Sequence, residues 1–101
     1  GTTHIMVHES VTVIRAWAFY SNRNIVEVIC HDKVDKIDRW AFFGCTRLTR
    51  VVMSGVKIVE EGALFSTALT DVECGQLEII GEYAFADCGS LRSINLPSAE
   101  I

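Results

Sequence analysis

The three histidines and four cysteines are the residues of this chain most able to do chemistry, and their spacing is regular. His8 and His31 lie 23 residues apart, and each is followed at once by an acid, Glu9 or Asp32. Imidazoles and carboxylates gathered in this way could hold a transition metal or form a pH-sensitive cluster. His4 precedes the pair closely enough to join it. Cys30 and Cys74 are 44 residues apart, and Cys45 and Cys88 are 43 apart. No C-x-x-C pair is present, so the usual signature of a structural zinc site is missing. No serine or cysteine nucleophile is expected beside the imidazoles and no pocket is predicted, so no catalytic residue is assigned.

These intervals are multiples of one repeat. Ala18-Phe19, Ala41-Phe42, Ala63-Leu64 and Ala84-Phe85 mark four units whose anchors step by 23, 22 and 21 residues. Five residues before the anchor stand Ile14, Ile37, Val59 and Ile80, and three further back Val11, Val34, Val56 and Leu77. After it come Ile25, Leu48, Leu69 and Leu91, then Val28, Val51, Val72 and Ile94, then Cys30, Met53, Cys74 and Leu96. A period in the low twenties predicts a solenoid in which each unit buries its apolar face only against its neighbours. The chain divides into a partial unit at 1–10, units near 11–33, 34–55, 56–76 and 77–98, and a partial unit at 99–101, all within a single domain.

Leu91-Arg92-Ser93-Ile94-Asn95-Leu96-Pro97 reads L-x-x-I-x-L-P, and residues 80–88 read I-G-x-x-A-F-x-x-C. Together they resemble the BspA-type leucine-rich repeat, a family known from bacterial surface proteins and large protist families. The second unit matches through Ile37, Ala41, Phe42, Cys45 and Leu48, whereas the first departs at Asn22. The third departs most: Leu64 replaces Phe, no Cys follows, Gly62 stands where Trp40 and Tyr83 stand, and its loop is one residue short. It is expected to be the weak point of the stack. The resemblance implies an α/β repeat solenoid, a right-handed leucine-rich-repeat-like coil with a parallel β-sheet and short helical turns. It also implies adhesion, recognition or scaffolding without choosing among them.

The coil positions the reactive side chains. Segments such as Leu48 to Met53 are β-rich, with Val51 and Met53 on one face by the two-residue period. Stacked units place them side by side about 4.8 Å apart. Matching cysteines two units apart are then about 10 Å from each other, beyond the roughly 4.4–6.8 Å between Cα atoms that a disulfide spans. All four are read as reduced, buried and acting as small hydrophobes. His8 and His31 share a turn column, with rings expected within about 5 Å of each other. Stacking aligns whatever a turn holds, so the His4, His8 and His31 cluster needs no metal to account for it, and no metal or cofactor is assigned.

The outward columns carry the functional reading. One runs Met6, Ile29, Val52, Glu73, Asn95, with Val26 beside it, and its neighbour runs His4, Glu27, Arg50, Asp71, Ser93. An apolar stripe bordered by charge predicts a protein partner. On the opposite wall Trp17, Trp40 and Tyr83 precede the anchor, and Tyr20, Phe43 and Phe65 follow it. Aromatic residues are enriched in interface hot spots, and they equally suit a carbohydrate- or ligand-binding platform. The apolar columns run to both ends with no polar cap, which predicts a segment of a longer array or ends covered by a partner. The nine Lys and Arg are scattered within a net charge of −4, so no nucleic-acid footprint is expected. No apolar run approaches the ~20 residues that span a bilayer. The sequence thus reads as a non-enzymatic protein-interaction or scaffolding module, with a carbohydrate- or ligand-binding surface on the Trp17, Trp40 and Tyr83 wall as the alternative.

Overall fold

Alternation within each short strand sets the architecture. In the Glu27-Val28-Ile29 segment the middle residue is fully buried while its neighbours are partly exposed, and Arg50-Val51-Val52 repeats the pattern. The computed structural model describes residues 3–88 and 91. It contains eight strands: β1 (His4–Met6), β2 (Val13–Ile14), β3 (Glu27–Ile29), β4 (Lys36–Ile37), β5 (Arg50–Val52), β6 (Ile58–Val59), β7 (Asp71–Glu73) and β8 (Ile79–Ile80). They form two four-stranded sheets, in the orders β1-β3-β5-β7 and β2-β4-β6-β8. Every pairing is parallel, and the register follows the sequence columns, with Val28 beside Val51 and Val51 beside Val72. The rung expected at 92–96 and the tail beyond it lie outside the described residues.

Between the sheets the apolar columns close into one core. Phe42, Leu64, Leu48, Leu69, Val51 and Met53 are all fully buried. Phe19 and Phe85, on the first and last described coils, are partly buried against the same core. The rings of Phe19 and Phe42 stack with centroids 5.1 Å apart and planes 4° apart. Burial of one such ring contributes roughly 1.5–3 kcal/mol.

The Ala-Phe segments are not the short helical turns that the sequence suggested. No helix is present among the described residues, and these segments are runs of turns. The reason lies in the hydrogen bonds. Alternate amides donate to the next coil, as in Phe19 to the Ala41 carbonyl at 2.8 Å, Phe42 to Ala63 at 2.8 Å and Leu64 to Ala84 at 2.8 Å. The intervening amides close three-residue turns, Ala18 to Arg15 and Tyr20 to Trp17. A helix would direct all its amides along its own axis. Here half of them join neighbouring coils, so the segment becomes a third inter-coil ladder.

That ladder demands left-handed backbone at fixed places. Trp17, Trp40, Gly62 and Tyr83 have φ of 62°, 56°, 62° and 62°. Each occupies the third position of a turn closed three residues apart, where a type II turn requires positive φ. Glycine adopts this conformation freely, whereas a bulky side chain there costs of order 1–3 kcal/mol. Gly62 is thus relaxed where its neighbours are strained. Its missing side chain also leaves the slot filled by Trp40: a Cβ built at Gly62 would run into the Trp40 indole. Thr67, in the cysteine column, donates its buried hydroxyl to the Leu64 carbonyl at 3.1 Å. The third unit is therefore completed by the second coil and by a hydroxyl in place of a thiol.

Two stability measurements follow. Phe42→Ala is expected to lower stability by about 3–5 kcal/mol, and Phe19→Ala by clearly less, read from urea unfolding. Gly62→Ala is expected to lose about 1–3 kcal/mol. In a Trp40→Ala background the same change should lose only the backbone part, so a double-mutant cycle with no coupling would contradict the indole-in-slot packing.

Candidate functional site

The first sheet fixes its outward columns by register. Met6 pairs with Ile29, Ile29 with Val52 and Val52 with Glu73, while His4, Glu27, Arg50 and Asp71 line up beside them. Met6 is 80% exposed, and Ile29 and Val52 are partly exposed. The structure thus brings Met6, Ile29 and Val52 together as one stripe. Val26 lies just ahead of β3 and is half-buried; its carbonyl accepts the Thr49 and Arg50 amides at 2.9 and 3.3 Å.

The sequence shows charges of both signs here but not their organisation. Arg50 donates from Nη1 to Glu27 at 2.8 Å, from Nε to Asp71 at 3.0 Å and from Nη2 to Glu73 at 2.9 Å. These contacts, led by the Glu27 hydrogen bond and then that of Asp71, hold the guanidinium protonated above its ordinary range. The available signal is a column reading acid, base, acid with a further acid beside it. A second outward column, Val13, Lys36, Ile58 and Ile79, is visible only once the second sheet is in place. Ile79 is exposed, and Lys36 pairs with Glu60 at 3.2 Å.

On the turn wall the aromatic rings form a continuous network. Trp17 and Trp40 stack with centroids 5.8 Å apart and planes 19° apart, as do Tyr20 and Phe43 at 5.5 Å and 20°. Trp40 also meets Phe43 edge-on at 5.4 Å, and Phe65 meets Tyr83 at 6.0 Å. Trp17, Tyr20 and Tyr83 are exposed, whereas Trp40, Phe43 and Phe65 are half-buried. The stacked pairs turn ring faces toward one another along the coil axis.

The histidines serve the turns. The column is joined through the backbone: His31 Nε2 donates to the His8 carbonyl at 3.0 Å, and its Nδ1 accepts the Lys33 amide at 3.2 Å. These two bonds assign the neutral Nε2–H tautomer. His8 Nδ1 accepts the Ser10 amide at 3.1 Å, and His4 Nδ1 meets the Thr3 hydroxyl at 2.8 Å. Among the described residues no three His, Cys, Asp or Glu side chains converge as a metal site requires.

Two expectations about this end of the chain are corrected. The Ser10 hydroxyl does lie 2.8 Å from His8 Nδ1, because a turn only two residues long closes on its own side chain. A hollow of about 740 Å³ also opens beside the first coil, lined by Ile5, Val7, Val11 and Phe19 and reaching His8 and Ser10. Its apolar walls are the rung of the first coil.

None of the four cysteines is bridged in a disulfide; Cys30, Cys45 and Cys74 are buried and Cys88 is half-buried. Burial pushes the Cys30 and Cys45 thiols up to about 11 and raises that of Cys74. Cys45 donates to the Phe19 carbonyl of the preceding coil at 3.1 Å, and Cys88 to that of Leu64 at 3.2 Å. The cysteine column therefore supplies inter-coil donors.

Two parallel sheets wound from near-identical coils, with a regular outer face, define a β-solenoid repeat protein. The family model for the BspA type leucine rich repeat region, in 6 copies, matches residues 1–101. The chain belongs to the BspA-type leucine-rich repeat family. No curated protein and no solved structure matches it. No helix among the described residues is long and apolar enough to cross a membrane.

The raised thiols make a pH-dependent prediction. Their ordinary value is 9.0 and the folded value about 11, so above pH 9 the unfolded chain ionises first. The stability from keeping them neutral is present below pH 9 and is lost as pH rises through 11. Urea unfolding between pH 8 and 11 should show this loss, and Cys30→Ala with Cys45→Ala should flatten it. Thiol titration in denaturant without reductant should count four free thiols.

Proposed function

We propose that this chain is a non-enzymatic protein-binding module that docks its partner on the outer face of the first sheet. The observation that carries the reading is the stripe of exposed Met6 with partly exposed Ile29 and Val52, held in line by strand register. Contiguous apolar surface on a folded domain is costly to leave in water and marks a contact site. The family supports it, since leucine-rich repeats commonly serve protein interaction or adhesion. A carbohydrate platform on Trp17, Trp40 and Tyr83 is the less favoured reading. A sugar stacks on a ring face, and the faces of Trp17 and Trp40 are turned to each other. Trp40 also fills the slot over Gly62, which gives it work in the scaffold.

The test is a pull-down with the wild-type chain and with the Ile29→Thr, Val52→Thr double variant as bait. Threonine keeps the β-branched shape that suits a strand, so stability should fall by less than about 1 kcal/mol. The bound protein identified by mass spectrometry should be lost from the variant. Retention by the double variant together with loss by Trp17→Ala would move the site to the aromatic wall.

A further inference from the structure

The apolar stripe ends in charge, and the charge is unbalanced. Glu73 follows Met6, Ile29 and Val52 in their column, and Glu27, Arg50 and Asp71 stand in the column beside it. Arg50 bonds all three carboxylates. Among the described residues, one positive and three negative groups leave a net charge of 1 − 3 = −2 on this face, with His4 counted as neutral. The Asp71 and Glu73 side chains are 55% and 51% exposed, and each gives Arg50 one oxygen, so each can accept a further donor. Rungs are about 4.8 Å apart and alternate residues about 6.6 Å apart along a strand. Stripe and carboxylates therefore fall under a single short segment of chain.

We infer that the partner presents a cationic, apolar segment. Its aliphatic side chains cover Met6, Ile29 and Val52, and its Lys or Arg side chains meet Asp71 and Glu73 at the far end of the stripe. This rests on the protein-binding reading above and specifies the chemistry and direction of the segment. A neutral or acidic segment seated on the stripe would strip water from surplus carboxylates without replacing it. A cationic one restores the balance. Arg50 holds the three carboxylates in place beforehand, which reduces the ordering that binding must impose.

The test uses the whole chain and three fluorescein-labelled ten-residue peptides, read by anisotropy. The first contains Ile-Val-Leu followed by Lys-Arg-Lys, the second Ile-Val-Leu followed by Glu-Asp-Glu, and the third Ser-Ser-Ser followed by Lys-Arg-Lys. The first should bind best, and its affinity should fall as salt is raised. Asp71→Asn with Glu73→Gln brings the local charge to zero, so it should weaken the first peptide about tenfold and remove most of the salt dependence. Ile29→Thr with Val52→Thr should abolish the difference between the first and third peptides. Failure of the first peptide to bind, or equal binding of the acidic one, overturns the inference. If the threonine pair weakens binding but Asp71→Asn with Glu73→Gln does not, the cationic specificity is overturned and the docking site stands. If the threonine pair changes nothing, the docking site falls as well.

Discussion

Each coil leaves unpaired backbone groups that the next coil must satisfy, and the rest of the structure depends on this requirement. A two- or three-residue strand has almost no internal stability. It persists here because the chain returns every 21 to 23 residues with the same backbone shape. Three ladders meet the requirement together, namely the two parallel sheets and the turn segment whose alternate amides reach the following coil. Unpaired buried backbone groups are costly, so the geometry of one coil constrains its neighbours. This accounts for aromatic residues held at positive φ at Trp17, Trp40 and Tyr83, since the ladder requires that conformation whichever side chain occupies the site.

Side chains that depart from the repeat are accommodated by their neighbours. Gly62 removes an aromatic ring and also removes strain, and the indole of Trp40 occupies the space. Thr67 stands in the cysteine column and turns its hydroxyl to the Leu64 carbonyl of its own coil. Asn22, in the same column of the first unit, accepts the amides of Asn24 and Ile25. A polar atom is what the column needs, because it lies where the turn leaves backbone groups to be paired.

The residues with the most chemical potential are thereby committed to structure. Buried thiols with raised pKa hold little thiolate at neutral pH, and thiolate is the nucleophile and the metal ligand. Both ring nitrogens of His31 are used by the backbone. The outward columns are not required by the ladders, and there the Met6, Ile29, Val52 stripe and the Arg50 carboxylate cluster coexist. A regular backbone displays them at fixed spacing.

The repeat columns are legible in the sequence because burial and register are both periodic. Val28, Val51 and Val72 recur because each faces the core, and Met6, Ile29 and Val52 align because their strands do. Sequence alone also places the cysteines too far apart to bridge, since that rests only on the rise between coils. The expectation of a helical turn segment comes from the family resemblance, while the choice between intra-segment and inter-coil bonds depends on a neighbour 22 residues away. The three bonds of Arg50, the Trp40 indole over Gly62 and the binding of His31 to a backbone carbonyl lie beyond column counting for a related reason. A column says which residues are adjacent, whereas the direction in which a long side chain reaches is set by the packing of three coils at once.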